Sequence, residues 1–509
     1  MVVTRKLFGV PNAIAALPTW RLRAALKERV HVLCERSLSS PSTVMASSSS
    51  TRGRGKRKQR AETPEREERV SPPPSKRHVA SSSSAAVASF FTPASQKAPG
   101  LEFTRHGTLL AGSWKPLAVA ASKTTISVST GAASLVASSS SVVAVELPDP
   151  KPIKVAAFDL DFNLIATKSG KKFGKEADDW KWWHATVPHK LRKAVDDGYR
   201  LVVFTNQNGL KLDSPKHEKQ VKDWKQKLNF IVAALNLPIS IYAATATDAY
   251  RKPRTGMFEH FLSELGDSDE VSRVDLENSV FVGDAAGRKD DFSASDRKFA
   301  ENIGIPFLTP EEYFLGEKPA PYEFDFNPLS FNRSSIPPDF AKKYPVELVV
   351  FTGRPGSGKS TFSTKYLEPL GYERINQDIL KTREKCLKAA EGYLKEGKSV
   401  VIDSTNPSQE IRAVWKKLAD KVGDVAFRCI YLTTPEKLCL HNDGVRAFSS
   451  VASLNPEKRE YVPSMAFLNY KSKFQEPQLN EGFKDITVVD FEFRGTDAEY
   501  EVWRRHWAS

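Results

Sequence analysis

Apolar and polar positions along residues 151–320 alternate between short strand-like runs and longer amphipathic segments. The strand-like runs occupy residues 155–160, 200–205, 239–246 and 279–282. Residues 216–236 repeat their apolar positions at the spacing of one helix face. Because strands separated by helix-length segments form βαβ units, this stretch predicts a parallel sheet.

The same alternation restarts after a proline-rich segment. Residues 317–345 contain Pro319, Pro321, Pro328, Pro337, Pro338 and Pro345. Strand-like runs then follow at residues 346–352, 399–402, 425–432 and 486–493. We therefore predict an α/β fold class with two parallel-sheet domains in series, residues 151–320 and 346–509, joined by a linker at 321–345.

Residues 1–100 differ in composition from the rest of the chain. Serine tracts at 47–50 and 81–84 accompany consecutive prolines at 72–74, and aromatic residues are few. Such a segment buries too little apolar surface to offset chain entropy, so we expect a disordered tail. Residues 101–150 remain rich in serine and alanine, although the sequence around Thr108 and Trp114 predicts a short ordered lead-in.

The chain of 509 residues has a formal charge of +14, most of it near the start. Residues 1–150 contain 21 Lys and Arg against 9 Asp and Glu, a net +12, which leaves +2 for the other 359 residues. Residues 52–60 include six basic side chains, a pattern typical of a nuclear address or a nucleic-acid-binding arm. A solvated spacer is the alternative. Residues 1–36 also resemble a mitochondrial transit peptide, so we expect a nuclear protein and, as an alternative, a mitochondrial pool.

Two further features limit the class of protein. The four cysteines, Cys34, Cys386, Cys429 and Cys439, form no Cys-x-x-Cys pair, so we expect neither a disulfide framework nor a common zinc ribbon. This usage predicts a reducing compartment. No run of 18 uncharged apolar residues occurs, so the sequence predicts no transmembrane helix and no membrane partner.

A phosphate-binding loop is the most specific motif in the chain. Its G-x-x-x-x-G-K-S pattern consists of Gly353, Arg354, Pro355, Gly356, Ser357, Gly358, Lys359 and Ser360. A Val- and Leu-rich strand precedes the loop and an amphipathic segment follows at 361–370, which is the context that this motif requires. Backbone N–H groups of the loop can surround a phosphate, Lys359 can contact the β- and γ-phosphates, and the Ser360 hydroxyl suits Mg²⁺. The motif predicts binding of ATP or GTP.

Two aspartates downstream of the loop are candidates for phosphoryl-transfer chemistry. Asp378 lies 19 residues after Lys359, at the expected end of a strand, where it can accept the proton of an acceptor hydroxyl. Asp403 ends another strand and can hold the water shell of a magnesium ion. The alternative for each is a helix N-cap, because each precedes a helix. Arg446, in the segment 441–446, is the candidate cation for the transition state.

The first domain has two carboxylates at the end of a buried strand. Asp159 and Asp161 lie two residues apart, and two buried carboxylates need a cation between them. The pattern suits a Mg²⁺-dependent mechanism in which Asp159 attacks phosphorus, while Asp161 protonates the leaving oxygen and later activates water. Unrelated polar residues at strand ends are the alternative.

Three later residues extend this pattern. Thr205, Lys252 and Asp284 supply a phosphate-binding hydroxyl, a cation and a further metal ligand, in the order found in haloacid dehalogenase-like phosphatases. The predicted metal ligands, distributed over two sites, are therefore Asp159, Asp161, Asp284, Ser360 and Asp403.

Several stretches of the chain match one known family. They are residues 156–161, 204–207, 251–253, 280–288 and 291–297, followed by the phosphate loop, 403–407, 441–442 and 470–477. With these stretches, the region from about 150 to 509 resembles the bifunctional polynucleotide kinase 3′-phosphatase family. The resemblance implies removal of 3′-phosphates and addition of 5′-phosphates at nucleic-acid ends, with Mg²⁺ at both sites and ATP as the phosphate donor. It also implies that Asp378 is the kinase base and that Arg251 contacts nucleic acid.

Four positions depart from the family pattern. Phe162 and Asn163 stand where the family usually has Gly and Thr, and Gln377 and Gly444 stand where it usually has Arg. Phe162 adopts a tight turn less readily than Gly, whereas Asn163 can still donate and accept hydrogen bonds. We expect a slower phosphatase and weaker binding of ATP or acceptor.

Three functions compete at this point. The first is an enzyme that processes DNA ends in strand-break repair, a monomer with repair scaffold or ligase proteins as partners. The second keeps the chemistry but acts on RNA ends. The third is a repair scaffold without catalysis, which predicts loss of several catalytic residues. All of those are present: Asp159, Asp161, Lys252, Asp284, Lys359, Ser360 and Asp378. We therefore expect the first function.

Overall fold

The structure, a computed structural model, describes residues 100–116, 151–172, 174, 176–266 and 271–508. The expected disordered tail, its basic run and the transit-like segment lie outside these residues. No helix among the residues described combines the length and the apolar character that crossing a bilayer requires.

A seven-stranded sheet forms the centre of the first domain. The strands of this domain are β1 (Glu102–His106), β2 (Leu109–Trp114), β3 (Lys154–Phe158), β4 (Ile165–Ala166), β5 (Lys181–Trp182), β6 (Tyr199–Asn206), β7 (Ile239–Ala244), β8 (Val280–Val282) and β9 (Phe307–Leu308). The sheet has the order β1-β2-β7-β6-β3-β8-β9, and β4 pairs with β5 in a separate hairpin. Five strands of this sheet, β7, β6, β3, β8 and β9, are parallel to one another, as predicted.

The sheet is mixed rather than wholly parallel, which corrects the prediction. β1 and β2 form an antiparallel hairpin within the expected lead-in segment, and β2 pairs antiparallel with β7 along six residues. Leu109, Leu110 and Ala111 of β2 are buried by this pairing. Burial of these apolar side chains explains why so short a segment joins the sheet.

Helices cover the sheet of the first domain. They are α1 (Val187–Asp196), α2 (Glu218–Leu235), α3 (Gly256–Glu264) and α4 (Ser295–Ile303), with a π-helical turn at Glu311–Leu315. The amphipathic segment 216–236 is confirmed as α2, which buries Leu228, Ile231 and Val232 against the core.

A five-stranded parallel sheet forms the second domain, as predicted. Its strands are β10 (Glu347–Thr352), β11 (Tyr372–Asn376), β12 (Ser399–Asp403), β13 (Ala426–Leu432) and β14 (Ile486–Val489), in the order β11-β12-β10-β13-β14. β14 ends four residues before the predicted limit. Phe491 and Phe493 beyond it leave the sheet to pack against Trp503.

Helices of the second domain follow the strands. They are α5 (Lys359–Phe362), which continues into a π-helical turn at Ser363–Leu367, α6 (Gln377–Leu380), α7 (Arg383–Lys395), α8 (Gln409–Val422), α9 (Glu436–Phe448), α10 (Ser464–Lys473) and α11 (Asp497–Trp503). The predicted linker, 321–345, contains one short 3-10 turn at Pro328–Ser330. Phe331 packs against Phe491 and Phe340 packs against Phe362, so the second domain holds much of this segment in place.

Candidate active sites

Three carboxylates meet at the carboxyl edge of the first sheet. Asp159 follows β3, Asp284 follows the neighbouring β8, and Asp296 lies in the first turn of α4. One carboxylate oxygen of each residue lies within 4.8 Å of the others. The parallel pairing of β3 with β8 brings the first two together, because the carboxyl ends of parallel strands share one edge.

Lys252 lies among these carboxylates and is almost fully buried. Its Nζ is 2.6 Å from Asp159 Oδ1 and 2.8 Å from Asp296 Oδ1. Burial lowers the pKa of Lys252, but the two carboxylates raise it more, so its pKa lies above the ordinary value. Lys252 is therefore a fixed positive charge beside the predicted nucleophile.

The pKa values of the other two carboxyls are raised. Burial raises the pKa of Asp284 to about 9, with additional contributions from Asp296 and Asp159. Burial also raises the pKa of Asp296 to about 6, although Lys252 opposes the shift. The single positive charge of Lys252 thus does not neutralise three carboxylates. A divalent cation held by their oxygens would neutralise the remaining negative charge. An all-carboxylate donor set fits Mg²⁺.

Asp161 occupies a separate position in the same site. Its carboxylate accepts a hydrogen bond from Gln207 Nε2 at 2.7 Å, and the same amide lies 3.0 Å from Oγ1 of the buried Thr205. Burial and the neighbouring Asp159 raise the pKa of Asp161, while Gln207 opposes the shift. Because its pKa is raised, the carboxyl of Asp161 can retain a proton and donate it. The cluster of three carboxylates that could hold a metal includes Asp159 and Asp284 but not Asp161.

Asp296 is a member of this cluster that the sequence-based prediction missed. It lies within the matching stretch 291–297, but an acidic residue in the first turn of a helix is common and by itself indicates no catalytic role. Its Oδ2 also accepts a hydrogen bond from the backbone N–H of Ala285, which fixes the loop after Asp284.

Arg251 precedes Lys252 and lies half-buried at the same edge. Burial lowers its pKa, while Asp248 opposes the shift. Its Nη1 is buried and has no hydrogen-bond partner among the residues that the structure describes. The contact of Arg251 with nucleic acid stays a prediction.

The two departures after Asp161 have different structural consequences. Phe162 has a φ of 57°, in the left-handed region that glycine adopts without strain. Asn163 is fully buried, and its Nδ2 donates to the carbonyl oxygens of Asp159 at 2.8 Å and Val282 at 3.0 Å. Asn163 thus connects the ends of β3 and β8. The hydroxyl of a Thr at this position has a single hydrogen to donate, so it could not make both bonds.

Substitutions at these two positions are expected to have opposite effects. Phe162→Gly relieves about 1 kcal/mol of left-handed strain, so 3′-phosphatase turnover should be preserved or raised. Asn163→Ala removes two buried hydrogen bonds, which should cost about 2 kcal/mol in the free energy of unfolding and lower that turnover. Urea unfolding and initial rates measure both effects, with kinase turnover as the internal control. A tenfold loss in Phe162→Gly would contradict this account.

The phosphate-binding loop lies between β10 and α5, as its motif requires. Gly356 and Gly358 have φ values of 74° and 97°, and a Cβ on Gly356 would clash with the backbone oxygen of Cys439. Lys359 is buried, and its Nζ donates to the carbonyl oxygens of Gly353 at 3.0 Å and Arg354 at 2.5 Å. Burial lowers the pKa of Lys359 to about 8. A phosphate would compete for this ammonium group.

A pocket of about 820 Å³ extends from the loop. Its lining includes Asp378, Asp403, Arg446 and Arg459. The structure therefore brings the predicted residues Asp378, Asp403 and Arg446 to one cavity.

Neither aspartate of this pocket caps a helix, so the N-cap alternative is wrong. Asn376 caps α6 by accepting from the backbone N–H groups of Asp378 and Ile379, and Ser408 caps α8. The Asp378 side chain is 78% exposed, which leaves it accessible to an acceptor hydroxyl. Asp403 is buried at the end of β12.

The surroundings of Asp403 keep its carboxyl ionised. Burial raises its pKa, but Arg374, Lys359 and a hydrogen bond from Ser360 lower it more, so the pKa lies below the ordinary value. Arg374 Nε and Asn376 Nδ2 donate to Asp403 Oδ2 at 2.9 and 2.8 Å. The Ser360–Asp403 pair is the donor set that would hold a magnesium ion beside the loop.

The segment 441–446 supplies one cation rather than several. Burial lowers the pKa of His441 to about 3, so this side chain is neutral at physiological pH. A Cβ on Gly444 would lie 3.2 Å from Cβ of Trp507, which shows that the C-terminal segment occupies the space beside this position. Arg446 pairs with Asp443 and lines the pocket.

Arg459 also lines the pocket, and the sequence did not single it out. Its Nη1 lies 3.6 Å from Asp378 Oδ2, and its Nη2 lies 3.9 Å from Asp403 Oδ2. Asn455 fixes the backbone of Arg459 by donating to its carbonyl oxygen and accepting from its N–H, both at 2.9 Å. The buried Nη2 of Arg459 has no hydrogen-bond partner in the described part of the chain.

Comparisons with known proteins match both domains. Residues 154–314 match the family model described as polynucleotide kinase 3 phosphatase, and residues 348–387 and 381–477 match the model described as AAA domain. The chain is 44% identical over 345 residues to the bifunctional polynucleotide phosphatase/kinase of Schizosaccharomyces pombe, which covers 67% of this chain and 80% of the relative.

Two further matches concern the first domain. The polynucleotide 3′-phosphatase of Saccharomyces cerevisiae is 30% identical over 215 residues, covering 33% of this chain and 90% of the relative. A solved D,D-heptose 1,7-bisphosphate phosphatase from B. bronchiseptica, complexed with magnesium and phosphate, is 19% identical with a TM-score of 0.24. That match covers 33% of this chain and 89% of the other.

Proposed function

Because the chain belongs to the family of bifunctional polynucleotide phosphatase/kinases, we propose that it prepares the ends of DNA strand breaks for ligation. Its two activities are removal of a 3′-phosphate and phosphorylation of a 5′-hydroxyl. The observation that carries the proposal is the presence of two separate sites, the carboxylate cluster with Lys252 and the pocket beside the phosphate loop with Asp378. Retention of both sites argues against a scaffold without catalysis.

In the phosphatase site, Asp159 is the proposed nucleophile. Its carboxylate attacks the 3′-phosphorus to form an aspartyl-phosphate, and Asp161 donates its proton to the leaving 3′-oxygen. Asp161 then accepts a proton from the water that hydrolyses the aspartyl-phosphate. Lys252 offsets charge on the nucleophile and phosphate. Asp159, Asp284 and Asp296 would hold Mg²⁺, which supplies positive charge for the phosphoryl oxygens.

In the kinase site, Asp378 is the proposed general base. It accepts the proton of the 5′-hydroxyl while that oxygen bonds to the γ-phosphorus of ATP and the bond to the leaving ADP oxygen breaks. Lys359 and the loop N–H groups bind the phosphates. Ser360 and Asp403 would hold the magnesium ion that accompanies ATP.

Arg459 is the proposed cation that holds Asp378 and contacts the phosphoryl group. Arg459→Gln should lower kinase kcat about 10- to 100-fold, the effect of losing a charged hydrogen bond of about 1.5–3 kcal/mol. Arg459→Lys should restore part of this loss, and phosphatase turnover should not change. Arg383→Gln, a substitution outside the pocket, is the matched control. An equal loss in both activities would indicate a structural role instead.

DNA rather than RNA is the proposed substrate. The basic run 52–60 supports this choice through the nuclear address that it resembles, and it supports nuclear localisation. The test uses a nicked duplex with 3′-phosphate and 5′-hydroxyl termini, incubated with ATP and Mg²⁺, beside an RNA duplex of the same sequence. Faster processing of the DNA is expected, and faster processing of the RNA would refute the DNA-repair proposal. Loss of nuclear accumulation on deletion of residues 52–60 tests the location.

A further inference from the structure

Two histidines and a glutamate form a cluster that neither active site uses. His106 is the last residue of β1, whereas His260 and Glu264 both lie on α3. One ligand atom of each side chain lies within 4.8 Å of the other two. We propose that this His106–His260–Glu264 cluster binds a zinc ion that links the β1–β2 hairpin to α3.

The helix places two of the three ligands on one face. His260 and Glu264 are four residues apart, the spacing that brings side chains together on a helix surface. His260 Nε2 lies 3.2 Å from Glu264 Oε1, and only 16% of the histidine side chain is exposed. This nitrogen is buried, and its contact with Glu264 Oε1 does not have the alignment of a hydrogen bond, so the nitrogen remains available to a metal ion.

The hairpin brings the third ligand to this helix face. The His106 ring centroid lies 4.4 Å from that of His260, with 52° between the ring planes. Thr245 anchors the turn, since its N–H and hydroxyl donate to the carbonyl oxygen of Thr108 at 3.1 and 2.6 Å. The position of His106 is therefore fixed by the pairing of β2 with β7.

A further contact orients the carboxylate. Tyr242 OH donates to Glu264 Oε2 at 2.5 Å, and Oε1 is the oxygen nearer to His260. Metal-binding side chains are commonly held in this way by a hydrogen bond to the atom that does not bind the metal. Tyr242 thus serves as an orienting residue behind the cluster.

The ligand types favour a transition metal such as zinc over Mg²⁺. Two imidazole nitrogens and one carboxylate oxygen suit zinc, whereas Mg²⁺ prefers the all-oxygen set found at Asp159, Asp284 and Asp296. Tetrahedral zinc with bonds of about 2.0–2.1 Å separates its ligand atoms by about 3.4 Å. Side-chain rotation of His106 and of Glu264, which is 44% exposed, can close the remaining gap. Water would complete the coordination.

The proposal is tested by counting zinc on the full chain. EDTA-treated protein is returned to excess Mg²⁺, which occupies the carboxylate sites, and is then dialysed against ZnCl₂ and measured by elemental analysis. The native chain should bind one more zinc ion than His106→Gln or Glu264→Gln. His189→Gln, which alters an exposed histidine of α1, is the matched control and should bind as the native chain does. Equal zinc content in all four proteins would overturn the proposal.

Hydrogen exchange at β1 distinguishes zinc that is bound between the β1–β2 hairpin and α3 from zinc that is bound elsewhere. Zinc should slow hydrogen exchange at the amides of Glu102–His106 in the native chain and leave it unchanged in His106→Gln. Phosphatase turnover in Mg²⁺ without zinc should be the same in both proteins, which verifies that the variant is folded. Zinc protection that persists in His106→Gln would refute the assignment of this ligand.

Discussion

Asp159→Asn is expected to lower 3′-phosphatase turnover by about three orders of magnitude or more, while 5′-kinase turnover stays within a few-fold of the native value. The amide is nearly the same size as the carboxylate but cannot form an aspartyl-phosphate. Lys252 retains its 2.8 Å pair with Asp296, so the buried lysine keeps a partner and the fold should survive. Single-turnover release of phosphate from a 3′-phosphorylated oligonucleotide measures the loss.

The control for this substitution is Asp196→Asn, which removes an exposed carboxylate at the end of α1. Asp196→Asn should leave both activities unchanged. A phosphatase rate within tenfold of native in Asp159→Asn would contradict covalent catalysis by this residue, and the proposed mechanism would have to be abandoned.

Lys359→Ala is expected to lower 5′-kinase turnover at least about 100-fold, the usual effect of removing one charged group that stabilises a transition state. The ammonium group lies within the loop, held by the carbonyl oxygens of Gly353 and Arg354, where the phosphates of ATP would bind. Transfer of labelled γ-phosphate to a 5′-hydroxyl oligonucleotide measures the loss. Removal of 3′-phosphate should continue at the native rate.

Asp378→Asn tests the same site through the proton acceptor and should lower kinase turnover about 10²- to 10⁴-fold.

Lys417→Ala, an exposed position on α8, is the matched control for Lys359→Ala. The two activities should separate because the sites lie on different sheets with different carboxylates. If Lys359→Ala remained folded by circular dichroism yet lost phosphatase activity, the two sites would not be independent.

The local pattern of the sequence is sufficient to predict most of both sheets. Buried parallel strands are continuous apolar runs, and a polar residue directly after such a run lies at the shared carboxyl edge. Asp159, Asp284 and Asp403 can therefore be assigned to strand ends from the order of residues alone. The motif around Lys359 is equally informative, because few backbone arrangements can surround a phosphate.

Long-range pairing cannot be read in the same way. The β1–β2 hairpin joins β7, from which it is separated by more than a hundred residues, and nothing local to Leu109–Trp114 specifies that partner. The limit of β14 differs from the prediction for a related reason, since Phe491 and Phe493 look like strand residues but pack on Trp503 instead. Local propensity is overridden when tertiary burial favours another arrangement.

The sequence by itself thus determined the α/β class, the order of the two domains, the phosphate loop and most residues at the strand ends. Only the tertiary structure added Asp296 to the carboxylate cluster, brought Arg459 to Asp378 and assigned Asn163 to join β3 with β8. The physical reason is the range of the interactions. Strand periodicity and loop motifs act over a few residues, whereas these charges and hydrogen bonds connect residues far apart in the chain, whose proximity depends on how the whole core packs.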